Sequence, residues 1–157
     1  MSGGLFNVLF LCTGNSARSI LAESLLNHEG GGRFRGFSAG SHPTGRVNPH
    51  ALEVLRRHGL TGGDLRSKSW DEFAAPGAPL MDGVITVCDA AAGEVCPLWP
   101  GAPGLAHWGL ADPAAETGGE AQIIARFEET LAILQSRIRQ LVENPENVLA
   151  PGGSRAR

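Results

Sequence analysis

The sequence predicts a single α/β domain in which a parallel sheet of about four strands is flanked by helices. Short apolar or β-branched segments alternate with helical segments along the 157 residues, a pattern typical of a parallel sheet crossed by helices. This length suits one domain that buries a core without disulfides or a structural metal. We expect the domain to span residues 1–143, and we expect the polar residues 144–157 to form a frayed, flexible tail.

Four short segments have the composition of strands, namely residues 5–11, 34–39, 83–87 and 105–108. The first (LFNVLFL) is almost continuously apolar, as expected for a strand that is buried on both faces of a sheet. In the second (FRGFSA), Gly36 weakens the prediction because glycine is disfavoured inside strands. The third (GVITV) leads directly into Cys88.

Three helices and one helical turn are predicted between and after these strands. Residues 17–29 form the first helix, which ends at a run of three glycines. The second helix begins at Pro49 and ends near residue 58. Residues 69–73 suggest a turn capped by Ser69, with Glu72 three residues later. The last helix, residues 120–142, carries an apolar stripe at helical spacing, formed by Ile123, Ile124, Phe127, Leu131, Leu134, Ile138 and Leu141.

The composition argues against several classes of protein. The net charge is −3 and the basic residues are spread along the chain, which argues against nucleic-acid binding. No apolar run approaches the roughly 18 residues of a membrane span, and no charged segment leads into an apolar stretch near residue 1. Three cysteines are an odd number for paired structural disulfides. We therefore expect a cytoplasmic protein that binds neither membrane nor nucleic acid, and we expect it to be a monomer.

The segment after the first strand has the composition of an oxyanion-binding loop. Cys12 and Arg18, with five residues between them, follow the carboxyl end of a buried strand, where α/β sheets bind ligands. Backbone N–H groups and the helix dipole can hold an oxyanion there, and Arg18 can bind two of its oxygens. We expect the same positive field to lower the pKa of Cys12 and produce a thiolate nucleophile. The predicted anion-binding residues are Thr13, Gly14, Asn15, Ser16, Ala17, Arg18 and Ser19.

A competing interpretation makes Cys12 a small buried hydrophobe and Arg18 a surface residue, because a Cys-x5-Arg spacing recurs by chance. The strand, turn and helix context favours the functional interpretation. A Walker-type phosphate loop is excluded, since no Gly-Lys-Ser/Thr follows.

Residues 8–23 (VLFLCTGNSARSILAE) resemble the N-terminal signature of the low-molecular-weight protein tyrosine phosphatase superfamily, and the chain is more similar to its thioredoxin-coupled arsenate reductases. The likeness extends over about residues 7–142 and includes Ser38-Ala39-Gly40, Val47-Asn48-Pro49, Ser67-Lys68-Ser69 and the segment from His107 to Pro113. It implies the low-molecular-weight phosphatase fold, arsenate as substrate and thioredoxin as reductant. Thiol exchange does not identify the electron donor, so glutaredoxin or a small thiol stays open. We expect no cofactor.

Asp112, which precedes Pro113, matches the general acid of this superfamily, the group that protonates the departing oxygen. Without the resemblance, Asp-Pro is more simply a turn initiator. We expect His107 and Trp108 to be scaffolding for Asp112. The phosphatases place aromatic residues after the acid, whereas this chain continues with AAE at 114–116 and contains no tyrosine. This departure argues against phosphotyrosine as substrate.

Cys88 and Cys96 are the remaining cysteines, and Cys88 is expected at the same edge of the sheet as Cys12. Without the resemblance, Cys88 is more simply a buried residue at a strand end, and Cys96 is an unreactive loop thiol. The spacing of the two cysteines does not match an ordinary pair of zinc ligands, so we expect no metal site. The segment that begins at Cys96 (CPLWPG) resembles the redox segment of the arsenate reductases. The resemblance implies that Cys12 attacks arsenate, that Cys88 releases arsenite by forming a Cys12–Cys88 disulfide, and that Cys96 converts it to a Cys88–Cys96 disulfide.

Some arsenate reductases of this type surround a monovalent cation with an Asn, a Glu, a Ser and an Asp. Asn15, Glu23 and Ser38 match the first three, and the single lysine of the chain, Lys68, aligns with the fourth. Our hypothesis is that the Lys68 ammonium replaces the metal cation. The alternative is that Lys68 is a solvated surface charge.

The sequence thus favours an arsenate reductase that works through a Cys12, Cys88 and Cys96 relay. One alternative is a protein tyrosine phosphatase that hydrolyses phosphate monoesters through a Cys12 phosphoenzyme, with the other two cysteines incidental or protective. A second alternative is a non-enzymatic module that binds an oxyanion or signals through its disulfide.

Overall fold

A four-stranded parallel sheet forms the centre of the part of the chain that the structure describes, as the sequence predicts. This computed structural model describes residues 5–60, 64–88, 99 and 102–150. The strands are β1 (Phe6–Leu11), β2 (Phe34–Ala39), β3 (Gly83–Thr86) and β4 (Gly104–His107). They lie in the order β2-β1-β3-β4, and every neighbouring pair is parallel. Their carboxyl ends therefore share one edge, at which the segments after β1 and β3 are neighbours.

Helices cover both faces of the sheet. They are α1 (Arg18–Glu29), α2 (Pro49–Arg57), α3 (Asp71–Ala74), α4 (Glu120–Glu143) and α5 (Pro145–Val148), with a 3-10 turn at Pro113–Ala115. Side chains of α1, α2 and α4 pack around Val8 and Phe10 of β1, whereas Phe73 of α3 and Met81 pack with Leu9 and Leu11 on the other face. Within the described residues, no helix is long and apolar enough to cross a membrane.

Gly36 lies inside β2 because α1 passes very close to this strand. A β-carbon at Gly36 would lie 2.9 Å from the Glu23 carbonyl oxygen of α1. The side-chain amide of Asn27 accepts a hydrogen bond from the Gly36 N–H (2.8 Å) and donates one to its carbonyl (3.2 Å). The glycine that weakens the strand prediction therefore permits the helix to pack on the sheet.

The chain after residue 143 differs from the predicted frayed tail. Residues 145–148 form α5, and Ala150 pairs with Leu105 of β4 through two backbone hydrogen bonds of 2.8 Å. Leu149 lies so close to Gly83 and Gly104 that a β-carbon at these positions would meet its side chain at 2.8 and 2.9 Å. These contacts hold residues 144–150 on the domain. The local sequence does not predict them, because Gly83 and Gly104 are distant along the chain. The remainder of the predicted tail, residues 151–157, lies outside the described residues.

Candidate active site

The loop from Cys12 to Ser19, which we call the anion loop, connects β1 to α1. The Cys12 N–H donates to the Ala39 carbonyl of β2 (3.2 Å), and the Asn15 N–H donates to the Cys12 carbonyl (3.2 Å). Asn15 has a φ of 46°, a left-handed conformation that asparagine adopts more readily than most residues. Helix α1 begins without a side-chain cap, so its first N–H groups and its dipole favour a negative charge at this end.

Donors outside the anion loop hold three of its carbonyl groups. The Thr13 carbonyl accepts from the His42 N–H (2.9 Å), and the Ser16 carbonyl accepts from the Asn48 N–H (2.8 Å). The Gly14 carbonyl accepts two bonds, from the Thr44 N–H (3.0 Å) and from the Ser67 hydroxyl (3.2 Å). Because a trans peptide points its N–H away from its carbonyl, the N–H groups of the same peptides face the opposite side. One of them, the Gly14 N–H, donates to the Cys12 sulfur.

Gly40, which directly follows β2, allows the anion loop to approach the sheet edge. A β-carbon at this position would collide with the carbonyl oxygens of Cys12 and Thr13. In the sequence, Gly40 is distinguished only as part of the Ser38-Ala39-Gly40 segment of the resemblance. The available signal was a glycine immediately after a buried strand, where a close backbone approach is common.

Asn15 is fully buried and links the anion loop to two neighbouring segments. Its side-chain amide donates to the Ser19 hydroxyl (2.8 Å), and its carbonyl oxygen accepts from the backbone N–H of Lys68 (2.8 Å). Because the Ser19 oxygen accepts this bond, the Ser19 hydroxyl hydrogen is available to donate. Asn15 therefore holds the anion loop in place through its side chain, and the Ser19 hydroxyl stays available as a donor at the start of α1.

Arg18 directs its guanidinium toward the segment that follows β4. Its Nη1 donates to the Leu110 carbonyl (2.8 Å), and its Nη2 lies 3.8 Å from the Asp112 carboxylate. Its Nε is buried, and no acceptor among the described residues bonds to it. A buried donor without a partner is costly, so this nitrogen is suited to an oxygen of a bound anion. The competing interpretation of Arg18 as an ordinary surface residue is wrong.

Cys12 and Cys88 are both buried and lie in contact at the carboxyl edge of the sheet. The Cys88 thiol is hydrogen-bonded to Cys12, and a second contact joins Cys88 Sγ to the Thr13 hydroxyl at 3.9 Å. The bond to Cys88, followed by burial, raises the pKa of Cys12 well above its ordinary value, although Arg18 and the Gly14 N–H act in the opposite direction. The expected lowering of the Cys12 pKa is therefore wrong for this state, because the neighbouring thiol and burial outweigh the positive field.

Asp112 lies half-exposed at the mouth of the anion loop, with 47% of its side chain accessible. One carboxylate oxygen accepts from the Ala114 N–H (2.9 Å), which caps the 3-10 turn, and the other faces Arg18. The preceding segment is fixed beside β3 by the Trp108 N–H, which donates to the Thr86 carbonyl (2.7 Å). His107 and Thr86 are joined through their side chains (2.7 Å), and Trp108 packs on Phe10 in the core. Both residues thus contact the strands that support the Asp112 segment.

The structure brings Cys12, Cys88, Arg18 and Asp112 together around the anion loop, whereas Cys96 lies outside the described residues. Leu110 belongs to the His107 to Pro113 segment of the resemblance, but its bond to Arg18 was not predicted, because a backbone acceptor leaves no residue-type signal.

Behind the anion loop, the Lys68 ammonium lies with the Glu23 carboxylate and the Ser38 hydroxyl. Lys68 is only 8% exposed, so the alternative of a solvated surface charge is wrong.

Comparisons with known proteins relate most of the chain to one family. The family model for low molecular weight phosphotyrosine protein phosphatase matches residues 7–149. An arsenate reductase of Bacillus licheniformis is 34% identical over 139 residues, which cover 88% of this chain and 96% of the relative. A crystal structure of an arsenate reductase from Archaeoglobus fulgidus aligns with a TM-score of 0.67 and 27% identity, covering 87% of this chain and 99% of that one. A thioredoxin-dependent arsenate reductase from Corynebacterium glutamicum aligns with a TM-score of 0.59 and 28% identity, covering 89% and 65%.

Proposed function

The chain belongs to the low molecular weight phosphotyrosine protein phosphatase family, and we propose that within this family it is an arsenate reductase. The contact between the Cys12 and Cys88 thiols carries the proposal. A phosphatase needs one thiol to form a phosphoenzyme, whereas reduction of arsenate needs two electrons, which two thiols supply when they join in a disulfide. The activity named for the Bacillus licheniformis and Archaeoglobus fulgidus relatives supports the same conclusion.

Arsenate is bound, in this proposal, by the backbone N–H groups of the anion loop and by Arg18. The uncapped start of α1 and the buried Arg18 Nε support this role, since both favour an oxygen with negative charge. The bond from Arg18 to the Leu110 carbonyl orients the guanidinium before the anion arrives. Such prior orientation lowers the entropic cost of binding.

The first chemical step joins Cys12 to arsenic. The Cys12 sulfur attacks hydrogen arsenate, an S–As bond forms, and an As–O bond breaks. The departing oxygen leaves as water, which carries its own hydroxyl proton and the proton that Cys12 gives up. Asp112 is proposed to relay this proton, because its carboxyl group lies beside Arg18 at the entrance to the loop.

The second step is the reduction. The Cys88 sulfur attacks the Cys12 sulfur, the S–As bond breaks, and its electron pair stays on arsenic, which passes from As(V) to As(III) and leaves as arsenite. The Cys88 proton is taken up by the arsenite oxygens, and a Cys12–Cys88 disulfide remains. The hydrogen bond between the two side chains supports this step, since no large rearrangement separates the two sulfurs.

Regeneration is proposed to require Cys96 and an external dithiol. Cys96 attacks Cys88, which frees the Cys12 thiol and leaves a Cys88–Cys96 disulfide that thioredoxin reduces; glutaredoxin or a small thiol would perform the same exchange. The thioredoxin dependence named for the Corynebacterium glutamicum structure favours thioredoxin. A relay that starts from reduced thiols suits the cytoplasm, and because one chain supplies all three thiols, we propose that the monomer is active.

The test measures arsenite release in the presence of thioredoxin, thioredoxin reductase and NADPH. We expect catalytic turnover for the wild type and none for Cys12→Ser. Cys88→Ser should lose arsenite release while it retains hydrolysis of an aryl phosphate, since that reaction needs only Cys12. Cys96→Ser should release at most one arsenite per enzyme.

Three outcomes would contradict the proposal. Normal arsenite turnover by Cys96→Ser would exclude the three-thiol relay. Aryl phosphate hydrolysis without arsenite release by the wild type would identify a phosphatase. Stoichiometric arsenite release by the wild type despite excess reductant would identify a redox-signalling module.

A further inference from the structure

Lys68 is a buried cation that faces three oxygen atoms. Its Nζ lies 2.8 Å from the Arg66 carbonyl, 3.4 Å from the Ser38 hydroxyl and 3.9 Å from the Glu23 carboxylate. The first two oxygens accept hydrogen bonds from the ammonium, and the Glu23 carboxylate is its ion-pair partner.

Glu23 is the negative partner of this ammonium. The Ser38 hydroxyl donates to the Glu23 carboxylate at 2.5 Å, a length typical of an O–H bond to a charged oxygen. Burial raises the pKa of Glu23 and lowers the pKa of Lys68, while the attraction between the two charges opposes both changes. Removing one partner would leave the other buried and uncompensated, which is more costly than leaving the pair intact.

The backbone of Lys68 joins this pair to the anion loop. Its N–H donates to the Asn15 side chain (2.8 Å), and its carbonyl accepts from the Gly40 N–H (3.0 Å). Asn15 in turn bonds Ser19 at the start of α1. The position of the ammonium is therefore coupled to the left-handed turn at Asn15 and to the sheet edge beneath Cys12.

The residues do not fit the monovalent metal cation that the resemblance implies at this place. An alkali cation prefers several oxygen ligands, and the oxygens of Glu23 and Ser38 already face the ammonium. Within the described residues, no group of three or more acidic, histidine or cysteine side chains lies close enough to hold a metal ion. A metal ion beside Glu23 would also place two cations against one carboxylate, which like-charge repulsion opposes.

We infer that Lys68 is a positioning residue whose ammonium serves as a built-in cation, so that the anion loop keeps its binding conformation without an alkali metal ion. This inference rests on the anion loop as the oxyanion site of the proposed function, but it does not depend on arsenate reduction. It predicts that oxyanion binding and thermal stability do not respond to the identity of the monovalent cation.

The experiment measures the Kd of inorganic phosphate by calorimetry, and the Tm, in potassium, sodium and tetramethylammonium chloride at equal ionic strength. For the wild type we expect the same Kd and Tm in all three salts. Lys68→Asp adds a carboxylate next to Glu23 and removes the ammonium, so it should bind phosphate about tenfold more weakly in tetramethylammonium and recover in potassium with a higher Tm. Lys68→Met should be weakened equally in every salt.

Arg56→Met is the matched control, because it removes one positive charge from an exposed side chain that bonds Glu53 on α2 and does not contact the buried pair. It should bind phosphate as the wild type does. Tighter wild-type phosphate binding in potassium than in tetramethylammonium would overturn the inference, as would wild-type affinity in Lys68→Met. Because the salt comparison uses the wild type, a variant that does not fold leaves the inference testable. Salt-independent phosphate binding without arsenite release would contradict the proposed reductase activity alone.

Discussion

The reactivity of Cys12 is controlled by groups that lie far from it along the chain. Arg18 and the Gly14 N–H, which are local, lower its pKa, while Cys88 and burial raise it and prevail. A local motif therefore predicts where the nucleophile lies and which cation accompanies it. It does not predict the protonation state of Cys12, because the neighbouring thiol reaches it through the pairing of β1 with β3.

Replacing Cys88 with alanine should make Cys12 more reactive. The variant removes the first cause of the raised pKa, so the Cys12 pKa should fall, and each unit of that fall increases the thiolate fraction near neutral pH about tenfold. The measurement is the rate of Cys12 alkylation by iodoacetamide against pH, followed by mass spectrometry of the Cys12 peptide.

Cys88→Ser is the control for this prediction. Its hydroxyl retains a hydrogen-bonding group beside Cys12, so its alkylation rate should lie between those of the wild type and Cys88→Ala. Equal rates in all three proteins would show that the Cys88 thiol does not control Cys12.

Among the elements, helix α4 follows its sequence pattern closely, whereas segments fixed by distant contacts do not. Six of the seven predicted stripe residues are buried, and Ile123 at the edge of the stripe is partly buried. Ser69 caps its turn as predicted, because its hydroxyl oxygen accepts from the Asp71 N–H, but Glu72 pairs with Arg66 instead of completing a capping box. The spacing of apolar residues in a helix can be predicted from the sequence of that helix alone. The capping pattern considers only residues 69–72, so it does not predict that Glu72 pairs with Arg66.

Two adjacent residues of α4 test this stripe. Leu134 is fully buried, while its neighbour Ile133 is 51% exposed. Leu134→Ala should lower the free energy of unfolding by about 2 to 5 kcal/mol, because it removes buried apolar area and leaves a cavity. Ile133→Ala should lower it by about 0.5 kcal/mol or less. Urea denaturation with a common m-value provides the comparison, and equal losses in the two variants would contradict the packing of α4.

For the whole molecule, the site exists only where three separate chain segments meet at one sheet edge. The anion loop follows β1, Cys88 follows β3, and the Asp112 segment follows β4. The sequence predicts Cys88 at the same edge as Cys12 because parallel strands align their carboxyl ends, whereas Asp112 is predicted from the family resemblance. The sequence does not place the Leu110 carbonyl on Arg18 or Gly40 beneath Cys12, since both contacts depend on the closeness of backbones from different strands.

Oxyanion binding should therefore be coupled to the stability of the entire fold. The unfolded chain does not hold the anion loop, Arg18 and α1 together, so a ligand that binds only the folded state stabilises it by mass action. Inorganic phosphate at about 100 times its Kd should add about 2.7 kcal/mol to the free energy of unfolding of the wild type. The measurement is urea denaturation with and without phosphate, with sulfate-free buffer and constant ionic strength.

Arg18→Ala should lose most of this phosphate-dependent increase, because it removes the guanidinium whose buried Nε has no acceptor among the described residues. Arg57→Ala is the matched control, since it removes an exposed arginine that pairs with Glu53 on α2. Its increase should equal that of the wild type. Each variant is compared with itself in the absence of phosphate, so a lower intrinsic stability of Arg18→Ala does not affect the result. An equal increase in both variants would show that phosphate stabilises the protein through another surface and that Arg18 does not bind it.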